Sequence, residues 1–110
     1  MASTLPAGEL FALDTLVTPT EHGIASRVLA RTAAGNITLF TFAAGEELSE
    51  HTAPFDALVI TLSGALVLTI DGRDLQTVPQ SLVLMPANVP HAVRAVEPSR
   101  VLLIMLRDAA

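Results

Sequence analysis

Ala57-Leu-Val-Ile-Thr-Leu-Ser-Gly-Ala-Leu-Val-Leu-Thr-Ile-Asp-Gly-Arg-Asp-Leu-Gln76 decides the fold class. Two runs of β-branched and aliphatic residues are punctuated by Ser63-Gly64 and Asp71-Gly72, residue types that tolerate the positive φ a chain reversal requires. Asp-Gly between apolar runs is a strong two-residue hairpin signal, so the strand Ala65 to Asp71 is expected to pair with the segment after Arg73.

The same punctuation recurs on either side. Ala34-Gly35-Asn36 separates two further runs, and Pro79, Pro86, Pro90 and Pro98 fall between runs rather than within them, which preserves the backbone donors of the ladders. Strands are expected at about 24–33, 37–43, 57–62, 65–71, 75–78, 82–85, 91–96 and 100–106. Many short strands joined by tight turns make an all-β sandwich or barrel. Residues 9–17 differ, with Leu10, Leu13 and Val17 at helical spacing between Gly8 and Thr18-Pro19, and predict a short N-terminal helix. A chain of 110 residues makes a single domain. Residues 1–22 are expected to form an arm with that helix, 23–107 the barrel, and only the first few residues a loose end.

Composition excludes several functions. Apolar residues make up 51% of the chain, with no Trp or Tyr, so the interior is aliphatic and offers little for stacked bases. The net charge is −5, Lys is absent and the six Arg are scattered, which argues against nucleic acid and anionic membrane as partners. The absence of Cys removes a disulfide scaffold, a thiolate nucleophile and a Cys-rich zinc site together. No apolar run approaches the roughly 18 residues of a membrane span, and residues 1–17 lack a basic leader and carry Glu9 and Asp14. The expectation is a cytoplasmic protein.

Two histidines carry the functional signal: His51 in Gly45-Glu-Glu-Leu-Ser-Glu-His51, and His91 in Met85-Pro-Ala-Asn-Val-Pro-His91. Side chains alternate across a strand, so His51 shares a face with Ala53, and His91 with Val93 and Ala95. Both imidazoles are expected to point inward. A lone buried His is most often a core residue bonded to backbone, but two in matching settings point to a shared site. His22, in a turn before the first strand, is expected at the surface.

These stretches resemble the motifs of the cupin superfamily over roughly residues 35 to 106. Gly45, His51 and Gly64 fall on the first motif, with Ala53 at its second His position and Ala57 at its Glu position; Pro86 and His91 fall on the second, with Gln80 and Asn88 at Gly positions and Ala95 at the Asn position. Asn is a mild replacement, since it tolerates a left-handed backbone. The resemblance implies a single cupin jelly-roll β-barrel like those of small single-domain bacterial cupins. It also implies that of four metal ligands only His51 and His91 survive.

A facial iron site needs a carboxylate beside two His, and a catalytic zinc site three protein ligands. By parity Glu50 and Asp56 should point to the opposite face unless a bulge intervenes. Glu47 has the right parity but lies about 13 Å along an extended strand from His51. A divalent ion such as nickel, copper, zinc or iron would therefore be held weakly. The two Ala open volume instead. The favoured expectation is a pocket binding a small, partly apolar molecule, lined by Ala53, Ala57, Val59, Thr61 and Val93, with His51 and His91 as polar anchors, directly or through such a metal. A metal-dependent oxygenase or isomerase, and a non-catalytic sensory or assembly module, are the alternatives. No Ser lies in a nucleophile-elbow context, and Met85 and Met105 are expected to fill core. Pairing into a homodimer is expected from the strand edges of a short barrel.

Overall fold

The computed structural model describes residues 4–107, and the start of the chain, where the first few residues are expected to be loose, lies outside the described residues. Among the described residues, nine strands follow a single 3₁₀ turn at Leu13–Thr15. They are β1 (Ile24–Thr32), β2 (Gly35–Phe42), β3 (Glu47–His51), β4 (Asp56–Ser63), β5 (Leu66–Ile70), β6 (Arg73–Gln76), β7 (Ser81–Met85), β8 (His91–Ala95) and β9 (Ser99–Leu106). They form two antiparallel sheets, in the orders β1-β2-β9-β4-β7 and β3-β8-β5-β6. The sheets face each other as an open jelly roll, which is the all-β class expected.

The quoted stretch behaves as its turns demand. Asp71 and Gly72 both have positive φ, 51° and 79°, and Ile70 pairs directly with Arg73, the two-residue geometry whose twist matches that of the flanking strands. β6 therefore begins two residues before the expected 75, because a turn this tight leaves no residue for a loop. The glycine positions of the second motif also keep their backbone demand, as Gln80 and Asn88 have φ of 66° and 61°.

The expected helix is corrected. Only Leu13–Thr15 turns, with Leu10 97% and Leu13 43% exposed while Leu16 and Val17 are buried. Helical spacing marked an apolar arm rather than a helix. A nine-residue helix is marginal by itself, and here the arm instead lays Leu16 and Val17 on Leu29 and Leu39 at the outer face of the larger sheet. Arg27 donates to Leu16 O at 3.5 Å and Arg100 to Val17 O at 3.2 Å, tying the arm down. Between the sheets lies the main core, including Phe42, Val59, Leu66, Leu68, Ala95 and Val101. Among the described residues no helix is long and apolar enough to cross a membrane.

Candidate functional site

β3 and β8 run antiparallel with His51 opposite His91. The pairing of Glu47 with Arg94 and of Leu48 with Val93 is out of step with it by one residue, so β3 carries a bulge between Leu48 and His51. An extra residue reverses the alternation. His51 thus shares its face with Leu48, not with Glu47, and Leu48 and His51 both line the interior cavity. Glu47, the acid with matching parity in a regular strand, is exposed and paired with Arg94. Strict alternation is corrected here.

The two rings meet at Nε2, 3.1 Å apart, with centroids separated by 4.3 Å and planes at 70°. Each Nδ1 faces a backbone carbonyl, Ser49 O at 2.9 Å for His51 and Val89 O at 3.1 Å for His91. A carbonyl only accepts, so both Nδ1 atoms carry the hydrogen and a neutral ring presents a bare lone pair at Nε2. Two lone pairs aimed at each other repel unless something electrophilic lies between them, a proton or a metal ion. His91 is buried and His51 exposed, so the pair stands at the cavity mouth rather than at its centre.

Backbone bonds fix the segment that carries His91. Ala87 N donates to Asp56 Oδ1 at 2.8 Å, Asn88 N to Ala53 O at 2.7 Å and Asp71 N to Pro90 O at 2.9 Å. Asp56 therefore does face away from the rings, as its parity predicts, and its carboxylate holds the loop.

Behind the rings lies a cavity of about 240 Å³. Ala53, Ala57, Val59 and Val93 line it with His51 and His91. Thr61 does not, and that expectation is corrected: it is fully buried one layer deeper, where its hydroxyl donates to Thr77 Oγ1 at 2.9 Å. Thr77 Oγ1 also accepts from Leu66 N, so the Thr61 hydroxyl is spent on holding β4 to the end of the β5–β6 hairpin. The larger wall residues Phe40, Phe42, Phe55, Met85, Leu103 and Met105 escaped the sequence reading. Parity from the motif reaches neighbours on the same strand, whereas these come from β2, β7, β9 and the loop before β4. Arg107 lies 5.0 Å over the Phe55 ring, on the wall residue that follows Pro54. His22 is at the surface, as expected.

Among the described residues, only the two imidazoles bring nitrogen or oxygen side-chain atoms to this lining. Among the described residues no three His, Cys, Asp or Glu side chains gather as a metal cluster. The pair itself fits an ion: nitrogens bound ~2.0–2.1 Å from one metal at tetrahedral or octahedral angles stand ~2.9–3.4 Å apart, and 3.1 Å falls within that span.

Comparison with known proteins agrees with this fold. No curated protein matches the chain. Among solved structures, a conserved protein of unknown function from Streptococcus pyogenes is 31% identical over 96% of this chain and 93% of its own, with a TM-score of 0.89. A cupin superfamily protein from Desulfitobacterium hafniense is 33% identical over 94% and 95%, with a TM-score of 0.86. A cupin 2 conserved barrel domain protein from Leptotrichia buccalis is 34% identical over 88% of this chain and 47% of that one, with a TM-score of 0.82. Residues 38–106 match the family described as the cupin domain, and on that match together with the sheet order and histidine pairing above, the chain belongs to the cupin family.

Proposed function

We propose that this protein binds a small, largely apolar molecule in its interior cavity and that His51 and His91 hold the polar end, directly or through a weakly held divalent metal. The observation that carries this reading is the 3.1 Å approach of two Nε2 atoms at the mouth of a cavity whose other walls are aliphatic, aromatic or thioether. Such a lining grips a ligand by the area it removes from water, and two convergent nitrogens fix which end points outward. Among the described residues no charged side chain lines the cavity, which favours a ligand whose body is uncharged.

His51 and His91 would be the residues holding a metal. When bound, a divalent ion supplies Lewis acidity at the mouth. Two neutral imidazoles bring no negative charge to offset the ion, which makes its hold weak and favours a ligand offering an anionic oxygen. The chain's own part is to fix both ring orientations through Ser49 O and Val89 O, and to exclude water from the wall behind them.

Nickel or zinc titrated into purified protein, followed by thermal melting, tests this. Binding to the folded state alone raises Tm, so a rise of a few degrees is expected, abolished in His51→Ala. The exposed position of His51 means that this substitution leaves the melting temperature of the metal-free protein nearly unchanged. An equal metal effect in wild type and His51→Ala would refute the paired-nitrogen site. A metal-dependent oxygenase or isomerase is the second reading, favoured by the same lone-pair convergence. It requires that chelators lower ligand affinity or stability, and it fails where they change neither.

A further inference from the structure

We propose a second site, for a small oxyanion, in a cleft under the N-terminal arm and on the far side of the larger sheet from the histidines. The register places Thr41 opposite Arg100 and Arg100 opposite Ser63. Neighbouring cross-strand partners share a face with their Cβ atoms about 4.5–5.5 Å apart, so these side chains form one row of hydroxyl, guanidinium and hydroxyl across β2, β9 and β4. Pro19 and Thr20 of the arm lie against this row, and together they enclose a cleft of about 120 Å³, several times the ~10–15 Å³ that one water needs.

The chemistry of the row selects an anion. Arg100 is half-buried, gives one N–H to Val17 O at 3.2 Å, lines the cleft and carries further donors in its planar fork. Among the described residues no carboxylate lines the cleft to balance it. A guanidinium withdrawn from water with only a neutral carbonyl as partner is costly, and a planar fork suits carboxylate or phosphate oxygens. Thr41 is only 4% exposed and its Oγ1 has no hydrogen-bond partner among the described residues. A buried hydroxyl without a partner is a standing penalty. Rotation about χ1 carries the Thr41 hydroxyl between staggered positions, and one of these would set this donor against an occupant of the cleft that Thr41 lines. The occupant would also bridge β9 to the arm, so filling the site and docking residues 17–20 would reinforce each other.

The test is titration of the whole chain with sodium phosphate, and separately sodium acetate, each matched for ionic strength with chloride and followed by amide chemical shifts and thermal melting. Saturable shifts at Thr41, Ser63 and Arg100 with a rise in Tm are expected, and the better of the two ions identifies a tetrahedral or a planar ligand. Arg100→Lys keeps the charge but loses the fork, and should weaken binding about tenfold or more. Thr41→Val should weaken it about fivefold while leaving the anion-free protein as stable or slightly more so, since it removes the unpartnered hydroxyl. That variant keeps the test valid should Arg100→Lys loosen the arm. Shifts no larger than those in chloride, or Thr41→Val binding as wild type does, would overturn the site and leave Arg100 as a tether for the arm alone.

Discussion

Gly64, between β4 and β5, has φ of 84°, and a Cβ built there would collide with Ser99 Oγ and Pro98 O and lie 2.7 Å from Ser99 Cα. Ser99 cannot yield easily, because its hydroxyl bonds Ala65 O and Glu97 O and accepts from Ala65 N. Gly64→Ala is therefore expected to lower unfolding free energy by about 2–3 kcal/mol, combining overpacking with a left-handed backbone. Gln80 presents the converse, a residue with a Cβ at φ of 66°. Gly there removes roughly 1–2 kcal/mol of left-handed strain and adds back about 0.5–1 kcal/mol of chain entropy. It also gives up the exposed bond from Gln80 Nε2 to Leu62 O. A net gain of about 0.5 kcal/mol is expected for Gln80→Gly, and a loss for the β-branched Gln80→Val. Urea midpoints measure all three, and a Gly64→Ala protein as stable as wild type would show that the Gly64 turn has room to move away from Ser99.

At the scale of elements, the loop before β8 depends on a side chain from another strand. Asp56 Oδ1 takes the Ala87 N–H at 2.8 Å, and Asn88, at φ of 61°, returns its N–H to Ala53 O. The bonds run to the start of β4 and the loop before it, so β4 sets where His91 begins. Asp56→Ala should cost about 1 kcal/mol and weaken divalent metal binding several-fold, with Asp56→Asn recovering most of both because its amide oxygen accepts the same bond. Metal affinity unchanged in Asp56→Ala would show that the His91 rotamer is set by Val89 O alone. Legibility in the sequence follows the same physics. The hairpin at Asp71-Gly72 and the strands around it could be read because turn chemistry and β-branched runs are local signals. β3 could not, since Glu47-Leu-Ser-Glu-His51 has one aliphatic residue among exposed polar ones and owes its strand state to β8. Its bulge was equally hidden, although the two histidines it aligns were the plainest feature of the site. The distant half of the cavity, Phe40 and Met105 among it, depends on which strands face each other, and periodicity within one strand carries no record of that.

At the scale of the whole molecule, the larger sheet leaves a continuous aliphatic surface on its outer side. Leu58 pairs with Leu84 and Ile104, and Ile60 with Leu82 and Leu102, so five strand residues beyond Ile60 extend one apolar face across β7, β4 and β9. The arm covers part of it by packing on Leu39, Leu62 and Leu102. The rest stays open, with Leu82 62% and Leu84 50% exposed on the edge strand β7. A contiguous apolar patch on an edge strand invites pairing, and a two-fold axis would bring each copy's leucines against the same residues of the other. A homodimer through this face is the expected state, with the histidine mouths left open because they belong to the opposite side of the sandwich. Light scattering should report twice the chain mass for wild type and the chain mass for Leu84→Glu, whose carboxylate would be buried without a partner in the interface. Metal-induced stabilisation should persist in that monomer, since β7 contributes only Met85 to the wall behind the rings. A wild type that is monomeric at every accessible concentration, or a Leu84→Glu protein that stays dimeric, would assign that leucine surface no part in assembly.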